Sequence, residues 1–259
     1  MEPTCFYYKN SGESIIGGEM TILFKSMLLI LFFGSVFFGA VANAGLKISP
    51  IQLYISEKIK QRSATVTMTS SGIKEAKIFE VSAVKWSQNE KSEDILEPDP
   101  SILINPKNFV LQPETKQIVR VGFSQSLSAV VGPQEKTWRI VFSEVPSVSK
   151  ETAVNFLFNI SVPLFVGTQD PAKLDIHTWY NQNHLWMDIK NDSNSHIQIF
   201  KIKILDAQRK EIAESNEMKY LLHGQKYGFN FGNVKLGDLK QYTLKIETDK
   251  DEKPLELKL

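Results

Sequence analysis

Cysteine is almost missing from this chain. The single thiol among 259 residues is Cys5. It lies in a segment read below as a leader, so the mature chain is expected to carry neither a disulfide nor thiolate chemistry. Histidine is scarce too. His177, His184, His196 and His223 are dispersed and lack the close spacing of a metal site, so no metal is expected. Charge of one sign is also lacking: 30 basic residues stand against 29 acidic ones, for a net charge of +1, which gives no reason to expect a nucleic-acid partner. No nucleophile elbow, zinc-protease motif or phosphate-cradling glycine loop occurs, so neither enzyme activity nor a cofactor is expected. No amphipathic helical stripe of useful length is found.

The one long apolar run is Met27–Ala42, preceded by Lys25 and closed by Ala42-Asn43-Ala44. A basic flank, an apolar centre and an A-x-A exit describe a secretory signal peptide, with cleavage expected after Ala44. The run is shorter than the roughly 20 residues that span a bilayer. Residues 1–19 fit no part of such a signal, and Met20 or Met27 is the expected start of translation. The leader is thus residues 1–44, and the mature chain is held by apolar cores alone.

From Gly45 onward the pattern is of short strands and turns. Leu46–Ile55 reads as a strand interrupted at Pro50, an edge or a bulge. Ser63–Thr69 alternates and is rich in β-branched residues, and Ser70-Ser71-Gly72 ends it. Ala76–Trp86 reads as a strand with Ile78, Val84 and Trp86 on one face, and Gln88–Pro100 as a polar loop. Gln117–Phe123 and Thr137–Pro146 are further strands. Gly167–Pro171 is the best linker candidate. Beyond it strands are expected over Lys173–Tyr180, Leu185–Lys190, His196–Leu205, Lys226–Phe231 and Tyr242–Glu247, with a turn at Asn191–Asn194. Two such sets predict an all-β protein of two β-sandwich domains, 45–166 and 167–259, joined by a short linker.

Val154–Val166 is the stretch that bears on function. Val154, Phe156, Phe158, Ile160 and Val162 share one face of a strand; Asn155, Leu157, Asn159 and Ser161 share the other. A wholly apolar face of this size is either buried in the strand's own core or lent to another protein across a sheet edge.

Several ordered motifs bear on that choice. Trp138-Arg-Ile-Val-Phe-Ser-Glu-Val-Pro146 is followed by a loop and then by the alternating strand. Ser49-Pro-Ile-Gln-Leu-Tyr54 leads to Gln61-Arg62-Ser63, and Pro113-Glu-Thr115 precedes Val119-Arg-Val121. Together they resemble the periplasmic pilus-assembly chaperones, over the N-terminal domain by motif and over the C-terminal domain by length and strand rhythm. The resemblance implies two immunoglobulin-like domains and a periplasmic location. The implied partners are pilin or fimbrial subunits and an outer-membrane usher. A subunit of this kind lacks its last strand, and the chaperone's strand fills the groove, with Val154, Phe156, Phe158 and Ile160 as the inserted side chains. Lending the strand covers backbone and apolar surface that would otherwise aggregate. Without a client, an exposed strand of this sort can cap itself in a dimer.

In one respect the chain departs from the pattern. Many members place an Arg on the first strand and a Lys at the end of the donor strand to grip the subunit's terminal carboxylate. Gln52 and Pro163 occupy the matching positions here, and neither is charged. Lys47, Arg120 and Arg139 are the candidate substitute cations. Arg139 and Glu144 are otherwise read as structural, five apart on one strand and so on opposite faces. A competing reading is a secreted carbohydrate- or surface-binding β-sandwich protein in which Trp179, Tyr180 and Trp186 carry recognition. Asn159 and Asn191 each match the glycosylation sequon.

Overall fold

The computed structural model describes residues 45–56, 61–146 and 156–259. The chain from Ala44 to Leu259 forms one compact unit, built almost wholly of strands. The first sandwich has two sheets. One contains, in spatial order, β1 (Gly45–Ser49), β3 (Ser63–Ser71), β8 (Lys116–Phe123) and β6 (Ile102–Asn105). The other runs β2 (Leu53–Ile55), β10 (Asn159–Val166), β9 (Lys136–Val145), β4 (Lys77–Gln88) and β5 (Asp94–Pro98), with β7 (Asn108–Leu111) also paired to β4.

The alternation expected for a sandwich is visible in these strands. Ala64, Val66 and Met68 of β3 and Val119 and Val121 of β8 point inward to meet Val81, Ile140 and Phe142 of the facing sheet. The break at Pro50 is a change of sheet: β1 pairs antiparallel with β3, whereas β2, three residues further on, runs parallel to β10. A four-residue helix, α1 (Leu127–Val130), drops Leu127 into this core.

A second pair of sheets follows. One contains β11 (Leu174–Asn181), β12 (His184–Asn191) and β16 (Lys226–Asn230). The other contains β14 (Glu211–Ser215), β13 (Ile197–Leu205), β17 (Thr243–Thr248) and β18 (Leu255–Lys258), with β15 (Lys219–Leu221) also on β13. Leu185, Met187, Ile199, Ile204, Phe229 and Leu244 are among the residues that fill the core between them. Gly167, at φ +132°, turns the chain out of β10 where a Cβ would stand 3.1 Å from Val131.

Two details differ from the sequence expectation, and a third adds to it. In β4 the core face is Phe79, Val81 and Ala83, while Ile78 is 45 % exposed. Trp86 lies on the opposite face and is buried all the same, because Phe165 and Leu222 cover it. Gln88–Pro100, expected to be a loop, contains β5, whose side chains are exposed throughout; it is held by its backbone ladder to β4, so it leaves no hydrophobic alternation to read. β14, β15 and β18 were likewise not anticipated.

Candidate functional site

The strand expected from Val154 enters its sheet only at Asn159. Val154 itself lies outside the described residues. From Asn159 to Val166, β10 pairs antiparallel with β9, and Leu164–Val166 also pair with β2. On the side away from β9, no described strand pairs with Asn159–Pro163. Gly167 N–H donates to Ile55 O at 3.0 Å on that side. By the two-residue alternation of a ladder, the main-chain groups of Asn159, Ser161 and Pro163 therefore face the uncovered edge. A proline is tolerated at 163 for this reason: its missing N–H removes no bond to β9.

One face of this segment has two fates. Val162, Leu164 and Val166 are buried in the first sandwich, and Ile160 packs against that core partly covered. Phe158 is 40 % exposed and Phe156 89 %. The apolar row thus runs out of its own core and continues into solvent.

Where the row leaves the sheet, Glu144 of β9 stands directly opposite Phe158. Its backbone N–H donates to Phe158 O at 2.8 Å, and its carboxylate Oε2 accepts the Phe158 N–H at 3.0 Å. The other oxygen, Oε1, pairs with Lys77 Nζ at 2.7 Å. Lys77 Nζ also lies 5.3 Å from the centre of the Phe158 ring.

Gln52 is turned to a different task. Its Nε2 donates to Gln198 Oε1 at 2.7 Å and to the Tyr220 hydroxyl at 2.8 Å, while its Oε1 accepts from the Tyr54 hydroxyl at 3.0 Å. Burial pushes the Tyr54 hydroxyl well above its ordinary value, and the charges of Asp249 and Glu135 add to this. Burial raises Tyr220 as well, against the opposing effect of the Gln52 bond. The cluster is therefore neutral, and both amide hydrogens of Gln52 are engaged between the two sandwiches.

Arg139 of β9 lies opposite Pro163. Its guanidinium stacks 3.8 Å from the centre of the Trp86 ring and bonds Asp94 at 3.3 Å. Lys47 on β1 and Arg120 on β8 are exposed in the other sheet of the first sandwich, so the structure does not bring them together with Gln52 and Pro163. In the second sandwich Trp179 sits opposite Trp186 with rings stacked at 5.6 Å, and Trp179 Nε1 donates to Asp188 at 3.1 Å. The Tyr180 hydroxyl accepts the Leu236 N–H at 2.9 Å.

Sequence reasoning missed the joint behind β10. Phe165 is fully buried, and its ring lies on His196. His196 Nδ1 is 2.8 Å from Glu135 Oε2, and its Nε2 is 2.9 Å from Asp249 Oδ2. Both carboxylates are almost completely enclosed. Glu135 Oε2 also accepts the His196 backbone N–H at 2.7 Å, and Asp249 Oδ1 accepts that of Gln198 at 2.7 Å. Burial alone would raise the Asp249 carboxyl, but the His196 hydrogen bond and charge and the Gln198 N–H outweigh it and hold it below its usual range. The three residues are 61 and 53 positions apart in sequence, so no spacing signalled them.

Comparison with known proteins gives one family. Residues 45–174 match the family model described as pili and flagellar-assembly chaperone, PapD N-terminal domain. The fold is similar to a chain of the CsuC–CsuE chaperone–tip adhesion subunit pre-assembly complex from the archaic chaperone-usher Csu pili of Acinetobacter baumannii, at a TM-score of 0.59 and 16 % identity, covering 83 % of this chain and 97 % of that one. It is also similar to a chain of the Salmonella enterica SafA pilin–SafB chaperone complex, at a TM-score of 0.55 and 13 % identity, covering 85 % and 99 %. The Escherichia coli chaperone DraB aligns at a TM-score of 0.52 and 13 % identity, covering 83 % and 96 %. The comparison with curated protein sequences yields no match.

Proposed function

The chain belongs to the pili and flagellar-assembly chaperones, and on that premise we propose that it caps pilin or fimbrial subunits in the periplasm by lending them the edge of β10, then passes them to an outer-membrane usher. The observation that carries this reading is the divided apolar face of the strand. Val162 onward is anchored in the chaperone's own core, while Phe156 and Phe158 are offered to solvent beside an uncovered main-chain edge. A subunit lacking a strand would gain backbone hydrogen bonds from Asn159 and Ser161. It would also gain apolar side chains for its groove from Phe156, Phe158 and Ile160, with Val154 preceding them. Fully burying each of these side chains contributes about 1.5–3 kcal/mol. Release needs only the exchange of one strand for another, with no cofactor and no catalytic step.

Among the described residues, the uncharged Gln52 and Pro163 hold the positions where the resemblance would put a carboxylate grip. Gln52 is occupied with Gln198 and Tyr220, and Arg139 with Trp86 and Asp94. On this reading, affinity rests on the strand and its aromatic side chains.

The experiment is a periplasmic capture with the wild type beside the Phe156→Asp/Phe158→Asp double variant, each checked for folding by circular dichroism. A small β-rich subunit retained by the wild type alone is the expected result. Equal retention by both proteins, or unfolding of the double variant, would overturn the reading.

A further inference from the structure

We propose that Glu144 is a positioning residue for strand donation. Its carboxylate, held by Lys77, takes the Phe158 N–H that would otherwise go to the residue 144 carbonyl, and so stops the β9–β10 ladder at Asn159 and leaves Phe156 clear of the chaperone's own sheet. The proposal rests on the strand-lending reading above and names the group that sets where lending begins.

The argument starts from ladder geometry. Residues directly opposite in an antiparallel pair, when hydrogen-bonded, exchange two bonds, each N–H going to the other's carbonyl. Phe158 and Glu144 make the first of these, from Glu144 N–H to Phe158 O at 2.8 Å. The second is replaced. Phe158 N–H goes instead to the Glu144 side chain at 3.0 Å, a charge-assisted bond and so a stronger one than its neutral counterpart. Side chains that compete for backbone donors in this way end regular structure.

The carboxylate does not swing free. Lys77 takes its second oxygen at 2.7 Å, and the Glu144 and Lys77 side chains are only 9 % and 22 % exposed. Lys77 sits in β4 next to Ile78, whose partner in β9 is Val145, so its backbone is fixed by the sheet. The same ammonium lies over the Phe158 ring. Backbone, side chain and cation thus hold Phe158 at one point, and Phe156, two residues earlier, stands almost fully exposed.

Without the carboxylate, the nearest acceptor for the Phe158 N–H is the residue 144 carbonyl. The register is already correct, because the reciprocal bond is in place. The ladder then closes by one pair and draws Leu157 toward Val145, the last residue of β9. Glu144→Gln keeps an acceptor oxygen at the same reach and is expected to preserve the arrangement, whereas Glu144→Ala removes it.

Chymotrypsin is the probe for the free protein, since it must take Phe156 or Phe158 as an extended strand in its own cleft. In Glu144→Ala, cleavage after these residues is expected to slow about fivefold, the population change that one hydrogen bond brings. In Glu144→Gln it should stay near the wild-type rate. The association rate for the subunit captured by the wild type should fall in the same order, with the denaturation midpoint of each variant checked in parallel. Cleavage in Glu144→Ala at or above the wild-type rate would overturn the proposal. Subunit capture surviving Phe156→Asp/Phe158→Asp would instead overturn strand lending itself, whatever the protease result, so the two failures are told apart.

Discussion

The ring of Phe165 lies flat on the imidazole of His196, with centroids 3.3 Å apart and planes 6° apart. Phe165 belongs to β10, the strand that begins directly after Phe158; His196 belongs to the second sandwich. The strand is therefore fixed at one end by contacts that also join the two sandwiches. Tyr54, Trp86 and Tyr220 complete the aromatic packing around Phe165.

Asp249, on one side of His196, makes this joint sensitive to acid. Asp249 titrates below its ordinary value in the folded chain. Its contribution to stability is thus fully present above the unfolded carboxyl's pKa of about 4 and is lost as pH falls through the lower folded value. Asp249→Asn is expected to flatten that part of the stability curve while lowering stability at neutral pH. Urea denaturation at a series of pH values between about 3 and 7 measures both; an unchanged acid slope would contradict the assignment.

A second prediction concerns the two fates of one strand face. Leu164→Ala should cost about 2–5 kcal/mol, the usual price of emptying a buried leucine site. Phe156→Ala, at an exposed position, should change stability by less than about 0.5 kcal/mol. Denaturation of the two variants compares them directly, and the order of subunit binding should reverse, with Phe156→Ala the more damaging of the pair at matched folding.

Asn191 gives a third. It matches the glycosylation sequon, but it is fully buried. Its Nδ2 donates to Ser195 O at 2.7 Å and to Leu221 O at 2.9 Å, and its Oδ1 accepts both from the Ser193 N–H at 2.9 Å and from its hydroxyl at 2.7 Å. It is the organiser of the turn that ends β12. Asn191→Ala strands several buried polar groups and should cost about 1–3 kcal/mol, read by thermal or chemical unfolding.

The strands of the first sandwich were legible wherever one face is buried and the other wet. β3 follows the expected alternation and β8 follows it as far as Val121, and the interruption at Pro50 falls where the chain changes sheets. Trp86 shares a face of β4 with Ile78 and Val84, as read, and that face looks toward the second sandwich and not the core that Phe79 and Val81 enter. β5 was invisible because no side of it is buried. In the candidate site, periodicity placed Phe156, Phe158 and Ile160 on one face; it did not tell an exposed row from a core face, and the exposure of Phe156 and Phe158 came from the structure. The Gln52 cluster and the His196 joint were not, because their partners come from distant strands and carry no local spacing. Glu144 was read as structural, since nothing in the sequence places its carboxylate against the Phe158 N–H.

The shortness of β2 has a consequence of its own. Covering only Leu164–Val166, it works as a ruler: the run it leaves uncovered, Asn159–Pro163, is about 17 Å long at the usual rise per residue. Pro163 offers no N–H at the inner end of that run, so on the proposed strand lending a guest strand would zip no farther before it met β2. The switch of sheets at Pro50 would thereby set how much of another protein's fold this chain completes.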